Sequence, residues 1–510
     1  MEEATRMSTP LVIHGHFYQP PRENPWTGRI DPEAGAAPYP NWNERILAEC
    51  YRPNAFARIF HDGKVERTVN NYAGLNFDFG PTLLHWLERR DPETYGKILE
   101  ADRVSRRALG HGHAIAQGYN HAILPLMDEH DRRTQVRWGL SDFRFRFGRD
   151  AEALWLPETA ANEDTLETLI DEGMRYVILA PRQVKRVRAD GEREWKAVDE
   201  ATAPTSKALR FRHRDGSGRS IALFLYDGKL ANAIAFGGVL ASSQSFADTL
   251  ERARPEDGGL VEVATDGESY GHHFRFGDLT LAYALDVELA KRGFALTNYA
   301  AYLERHPPRL EAEIDSGPEG EGSSWSCAHG VGRWLRDCGC HVDGKPGWNQ
   351  KWRGPLRAAF DLLRDASREL FLDSGTTYFR DPWEARDDAI AVLLDPEHAR
   401  EPFLQIHAKR ALTHEEETTA FTLLEMEKNA LLMYTSCGWF FDDISGIEAV
   451  QVMKYAGRVI DLMSELGATP PRGEFLHRLA EAKSNVAEIG TGADIYRRSV
   501  EPLIPKRALR

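Results

Sequence analysis

Long hydrophobic runs are missing from this sequence: nowhere do about 18 apolar residues follow one another, the length that a membrane-spanning helix needs. Basic runs are missing too. With 64 Lys and Arg against 78 Asp and Glu, the net charge is −14, which points away from a nucleic-acid partner and toward an uncharged ligand. Cysteine is scarce, five in 510 residues. The odd set Cys50, Cys327, Cys338, Cys340 and Cys437 fits reduced thiols better than a disulfide framework. There are no internal repeats and no long low-complexity linkers. The opening "MEEATRMSTPLVIHGHF" carries acidic residues where a secretory leader needs positive charge, and His breaks its short apolar run. The expectation is a cytoplasmic protein with no membrane or nucleic-acid partner, its oligomeric state left open.

What is present is enough apolar sequence, 42% of the chain, for two or three structural units. The 12 Trp, 16 Tyr and 23 Phe often stand beside Asp, Glu, His or Asn. That mixture suits carbohydrate, whose ring faces stack on aromatic planes while its hydroxyls bond to polar tips.

Short β-type runs alternate with amphipathic helical stretches through the first 300 residues. The strand-like runs are "LVIHGHF" (11–17), "KVERTVNN" (64–71), "HAIAQG" (113–118), "EALWLPE" (152–158), "RYVILA" (175–180) and "LVEVATD" (260–266). Such alternation predicts an α/β fold built on a parallel sheet or barrel. The stretch 208–227 reads as a hairpin around "DGSG". A Gly-, Ser-, Trp- and Cys-rich loop follows, and from about 353 the pattern is helical to the end. The expected organisation is 8–310 as catalytic domain, 311–352 as a loop over its cleft, and 353–510 as a mainly α-helical domain completing the active site.

In a parallel α/β architecture the carboxyl ends of the strands share one rim, so residues distant in sequence converge there. The polar residues sit at those ends: His14, His16 and Gln19 after the first run, His121 after the third, Trp155 and Glu158 after the fourth, and Asp266, Glu268, His272 and His273 after the last. Glu158 and Asp266 supply the two carboxyl groups that glycoside cleavage needs, one to protonate the leaving oxygen and one to attack or to activate water. The plainer readings make Glu158 an N-terminal carboxylate of the helix starting near Asn162 and Asp266-Gly267 a turn.

Four of these segments resemble the motifs of glycoside hydrolase family 57: "HGHFYQP" (14–20), "GYNHAILPLM" (118–127), "WLPE" (155–158) and "DGESYGH" (266–272), with "YTSCGWFFDD" (434–443) similar to a fifth. The resemblance implies a distorted parallel (β/α)7 barrel followed by a helical region, a retaining enzyme acting on α-glucans, Glu158 as nucleophile and Asp266 as general acid/base. It also implies carboxyl groups roughly 5–6 Å apart, the spacing for retention, a raised pKa for Asp266, a sugar site lined by His14, His16, His121 and Trp155, and no cofactor or metal. Hydrolysis, transfer and linkage preference stay undivided.

The loop "SSWSCAHGVGRWLRDCGCHVDG" (323–344) looks like part of a second module from a less-studied subgroup. Trp325, His329 and Trp334 are expected near substrate, as are Trp439 and Asp442 from the helical region. Cys327, His329, Cys338, Cys340 and His341 are zinc-type ligands, but C-x-H-x8-C-x-C-H lacks the usual knuckle spacing. A reduced loop over the cleft is the preferred reading, so no metal is assigned. Two rival functions remain: a metal-dependent carbohydrate deacetylase or mannosidase built on His14, His16 and Asp266, and a non-catalytic glucan-binding protein.

Overall fold

Both faces of the strand Thr9–Phe17 are covered in the computed structural model, which describes residues 8–505, and the near-continuous apolar run of this segment is what such a position demands. It lies between two parallel partners. Val261–Asp266 pairs on one side, with Leu11 opposite Val261 and His16 opposite Asp266. Asn76–Phe79 pairs on the other, with His14 opposite Asn76 and His16 opposite Asp78. Phe294–Leu296 joins parallel at the start of the strand, Thr9 facing Phe294.

Further parallel pairs extend the pattern. Ala116–Gln117 runs beside Leu154–Trp155, and Tyr176–Leu179 beside Ser220–Leu225. Single parallel bridges join Phe77 to Ala114 and Ala153 to Tyr176. From the end of Ser220–Leu225, the Asp227 N–H donates to the Glu262 carbonyl at 3.0 Å. Helices such as Pro92–Leu109, Glu129–Phe147, Glu163–Asp171 and Ser243–Arg252 alternate with these strands. The fold is α/β. Leu209–Arg212 and Ser220–Leu225 form the expected antiparallel hairpin, with positive φ at Gly216 and Gly218 in its turn.

One strand differs from expectation. "KVERTV" is not in the central sheet: Lys64–Val69, nearly all exposed, pairs antiparallel with Ala57–His61, which buries Ala57 and Ile59. Its charged residues at alternate and adjacent positions suit solvent, not a sheet covered on both faces. The place beside the first strand goes to Asn76–Phe79, whose two polar side chains are both buried. The acidic start, residues 1–7, on which the expectation about a leader rests, lies outside the described residues.

The chain divides into two compact units. The first comprises the residues up to Gln19 with Pro32–Gln117 and Phe143–Ser316. The second comprises Pro20–Asp31, Gly118–Asp142 and the chain from Gly317 onward, so it draws two short segments from the N-terminal region and includes most of the Trp- and Cys-rich loop. Its three longest helices, Arg353–Tyr378, His414–Leu432 and Ile447–Glu465, pack on one another, and their buried residues include Leu356, Phe360, Leu423, Met426, Val452 and Val459. Thr413 and Glu416 form a capping box at the start of the second, which satisfies N–H groups that the helix itself leaves open. The third ends at Leu466 before Gly467, whose φ of 79° is a left-handed conformation that glycine adopts without strain. No helix among the described residues is long and apolar enough to cross a membrane.

A buried charge cluster ties Gly118–Asp142 to the helices of this unit. Arg386, 1% exposed, donates to Asp131 at 2.8 Å, to Glu427 at 2.9 Å and to the Thr134 hydroxyl at 3.0 Å. Arg368 donates to the second Asp131 oxygen at 2.7 Å. Removing the shared cation leaves two buried carboxylates facing each other, so Arg386→Met is expected to lower stability by about 3–5 kcal/mol, read as a shifted midpoint in urea at unchanged slope.

Candidate functional site

Period two along the first strand puts His14 and His16 on one face, and Asp78 on the neighbouring strand reaches both. Its Oδ1 lies 2.9 Å from His14 Nε2 and its Oδ2 lies 2.8 Å from His16 Nδ1. All three side chains are buried. Trp155 covers the pair: its ring stacks on His14 at 5.0 Å with planes 10° apart, and on His16 at 4.9 Å and 17°. Trp155 is fully buried, so its present role is to fix the two imidazoles rather than to offer an open platform.

The environment separates the two histidines. Burial lowers the pKa of His14, and Asp78 only partly offsets this. For His16 burial also disfavours the charged form, but Asp78, Asp266 and Glu268 together outweigh it and raise the pKa to about 9. His16 is therefore a cation at neutral pH. One nitrogen of each ring is bonded to Asp78, the kind of contact that orients an imidazole.

Asp266 stands at the end of its strand, next to His16 in register and open to solvent. The protein atoms crowding its carboxyl raise its pKa, His16 opposes the shift, and Asp78 adds to it. Glu268 follows on a short helical turn, nearly buried. Burial pushes its pKa up to about 7. Its Oε1 accepts from the Tyr51 hydroxyl at 2.6 Å and from the Tyr18 N–H at 3.1 Å. Gly267, between the two acids, is required by packing: an added Cβ would fall 2.3 Å from the ring of Phe17.

Glu158 sits on the turn after Leu154–Trp155 with φ 58° and ψ 22°, and Thr159 follows with φ 49°. Two successive non-glycine residues in the left-handed region store strain of order 1–3 kcal/mol each. The turn is held by Gln183, whose amide oxygen accepts from the Thr159 hydroxyl at 2.8 Å and whose amide nitrogen donates to the Thr159 carbonyl at 2.8 Å. Glu158 is not the cap of the next helix. Asn162 fills that role, its side chain accepting from the Thr165 N–H at 2.9 Å.

The remaining candidates fall into two groups. In the first unit, Gln19 donates to the Tyr18 carbonyl at 3.0 Å, and His272 pairs with Glu49 at 2.5 Å, with His273 beside it at a ring separation of 5.3 Å. In the second unit, His121 bonds the Ser436 hydroxyl at 2.6 Å, so two of the motif segments meet there. Trp334 donates to the Ser436 carbonyl and Trp439 to the Arg353 carbonyl, both at 3.1 Å and both rings buried, which gives them packing roles. Asp442 accepts from the N–H groups of Val342, Asp343 and Gly344. Those bonds outweigh burial and hold its carboxyl below the usual range. Trp325 is half-buried, and His329 lies among the cysteines. Asp78, Tyr51 and Gln183 are not singled out by sequence patterning. The one available signal was "NFDFG", where an Asp alternates with two Phe ahead of a Gly-Pro helix start.

The family model described as glycosyl hydrolase family 57 matches residues 38–315, more than half of the chain. The chain belongs to this family. Residues 348–507 match a second model, described as a domain of unknown function, DUF3536. Among curated relatives, a 4-α-glucanotransferase of Thermococcus litoralis is 23% identical over 258 residues, covering 49% of this chain and 36% of the relative. An α-amylase of Pyrococcus horikoshii is 26% identical over 252 residues, covering 48% and 36%. The match thus spans little more than a third of the length of these relatives. The fold is similar to the crystal structure of an exo-type maltose-forming amylase from Pyrococcus sp. ST04, with TM-score 0.65 and 16% identity over 97% of this chain and 92% of that one. It is also similar to a family 57-type branching enzyme from Pyrococcus horikoshii, with TM-score 0.51 and 15% identity over 99% and 98%.

The shifted His16 yields a direct test. A folded-state pKa raised to about 9 means that the stability contributed by protonated His16 is complete below the ordinary imidazole value of about 6.5 and is lost as pH rises through about 9. NMR titration of the imidazole should follow that course, and Asp78→Asn should bring the midpoint down.

Proposed function

We propose that the protein is a retaining glycoside hydrolase or transglycosylase acting on α-glucans, with Glu158 as nucleophile and Asp266 as general acid/base. The observation that carries the reading is the continuous link between the two acids: Glu158 on a strained turn three residues after Trp155, Trp155 stacked on His16, and His16 paired in register with Asp266. The parallel pairings fit a distorted (β/α)7 barrel, whose strand ends would bring these groups to one rim.

In the first step Glu158 attacks the anomeric carbon while Asp266 gives its proton to the departing glycosidic oxygen. A glycosyl ester on Glu158 and a free chain end result. In the second step Asp266, now a carboxylate, takes a proton from water or from a sugar hydroxyl, which displaces Glu158. The raised pKa of Asp266 supports its acid role, and protonated His16 steadies the carboxylate after the proton has left. The names of the relatives, an α-amylase and a 4-α-glucanotransferase, support an α-glucan substrate and either acceptor.

Glu158→Gln and Asp266→Asn should each lower kcat/KM on maltooligosaccharides by at least ~100-fold. NMR of the first-formed product should show the anomer of the substrate. Activity kept by either variant, or an inverted product, overturns the assignment.

A further inference from the structure

The Cys-rich loop of the second unit assembles a set of side chains that glycoside chemistry does not use. Cys327 Sγ lies 3.9 Å from Cys338 Sγ and 3.7 Å from Cys340 Sγ, and Cys340 Sγ lies 3.5 Å from His329 Nδ1. All four atoms fall within 4.8 Å of one another. Zinc–sulfur bonds of about 2.3 Å and a zinc–nitrogen bond of about 2.05 Å at tetrahedral angles put sulfur atoms about 3.8 Å apart and sulfur about 3.6 Å from nitrogen. The three separations reproduce those edges.

We propose that Cys327, His329, Cys338 and Cys340 bind one structural zinc ion. Four protein ligands close the coordination shell, which is the mark of a structural rather than a catalytic site. Binding deprotonates three thiols, so Zn2+ enters and three protons leave. The resulting centre has a net charge of −1, and Arg353 meets it. This guanidinium is fully buried, donates to the Cys340 carbonyl at 2.9 Å and approaches Cys338 Sγ at 3.8 Å. The Cys340 N–H points at Cys338 Sγ from 3.5 Å, a second polar group oriented toward thiolate.

The spacing that argued against a metal is overcome by the backbone. Gly339, with φ 82°, lets the chain reverse between Cys338 and Cys340 so that both sulfurs face the same point. His341 is not part of the set: its ring lies where a side chain on Gly344 would stand. The ion would anchor a loop whose Arg333 and Trp334 bond the carbonyls of Phe440 and Ser436, and so hold the "YTSCGWFFDD" segment in place.

The test uses the full chain purified under reducing conditions. Elemental analysis should give one zinc per chain. After removal by chelator, cobalt(II) titration of the unaltered chain should saturate at one equivalent, with an intense tetrahedral visible spectrum and thiolate charge-transfer bands, and the melting midpoint should fall without metal and return with it. Cys338→Ser and Cys340→Ser should lose the stoichiometric metal, and His341→Ala should keep it. The proposal is overturned by a reduced chain that gives no thiolate–cobalt bands, by zinc retained in both serine variants, or by peptide mapping that finds Cys327 and Cys338 joined as a disulfide in the reduced preparation. The unaltered chain alone decides the outcome if the variants do not fold.

Discussion

One carboxylate, Asp78, organises the first unit's polar interior. It accepts from two imidazoles on the neighbouring strand and is buried with them, so its charge must be matched locally. His16 supplies the match by staying protonated, which burial alone would forbid. That cation then acts on the next strand end, where it opposes the upward shift at Asp266. A row of three strand ends, Asp78, His16 and Asp266, thus carries alternating charge when Asp266 is ionised. The row follows from register: a slip of one residue would turn His16 to the opposite face and break both links.

The second constraint is the left-handed turn at Glu158 and Thr159. Most chains avoid this conformation outside glycine, and holding it requires bonds that relaxed backbone would not need. Gln183 supplies them, using both ends of its amide on one residue. The Trp155–histidine stack fixes the strand immediately before the turn. Strain at Glu158 is therefore supported from both sides.

Much of this was legible in sequence, and the reasons for success and failure are physical. Strands covered on both faces leave a clear apolar run, so Thr9–Phe17, Tyr176–Leu179 and Val261–Asp266 could be read directly, as could the positions of Glu158 just after one strand and Asp266 at the end of another. Asn76–Phe79 could not: its buried Asn and Asp look like turn residues until the histidines that satisfy Asp78 are known. The exposed strand Lys64–Val69 misleads in the opposite direction, because β-branched residues favour extended backbone without saying which sheet will receive it. Trp334, Trp439 and Asp442 show a third limit. Their types suit sugar contacts, but whether an indole N–H meets a ligand or a carbonyl depends on packing that pattern alone does not encode.

The motif "DGES" places two acids side by side, and both have raised pKa values, so under the proposed mechanism the choice of proton donor has to come from geometry. Glu268, at about 7, looks better tuned for neutral pH. However, it is 5% exposed, and its Oε1 is occupied by Tyr51 and by the Tyr18 backbone. A donor must come within hydrogen-bond reach of the leaving oxygen, and a side chain enclosed and bonded inward meets that condition less well than its neighbour. Asp266 is exposed at the end of its strand and stands next to His16. Glu268 acts through charge: its negative form helps keep His16 protonated, and the charge of Asp266 helps raise the pKa of Glu268 in turn.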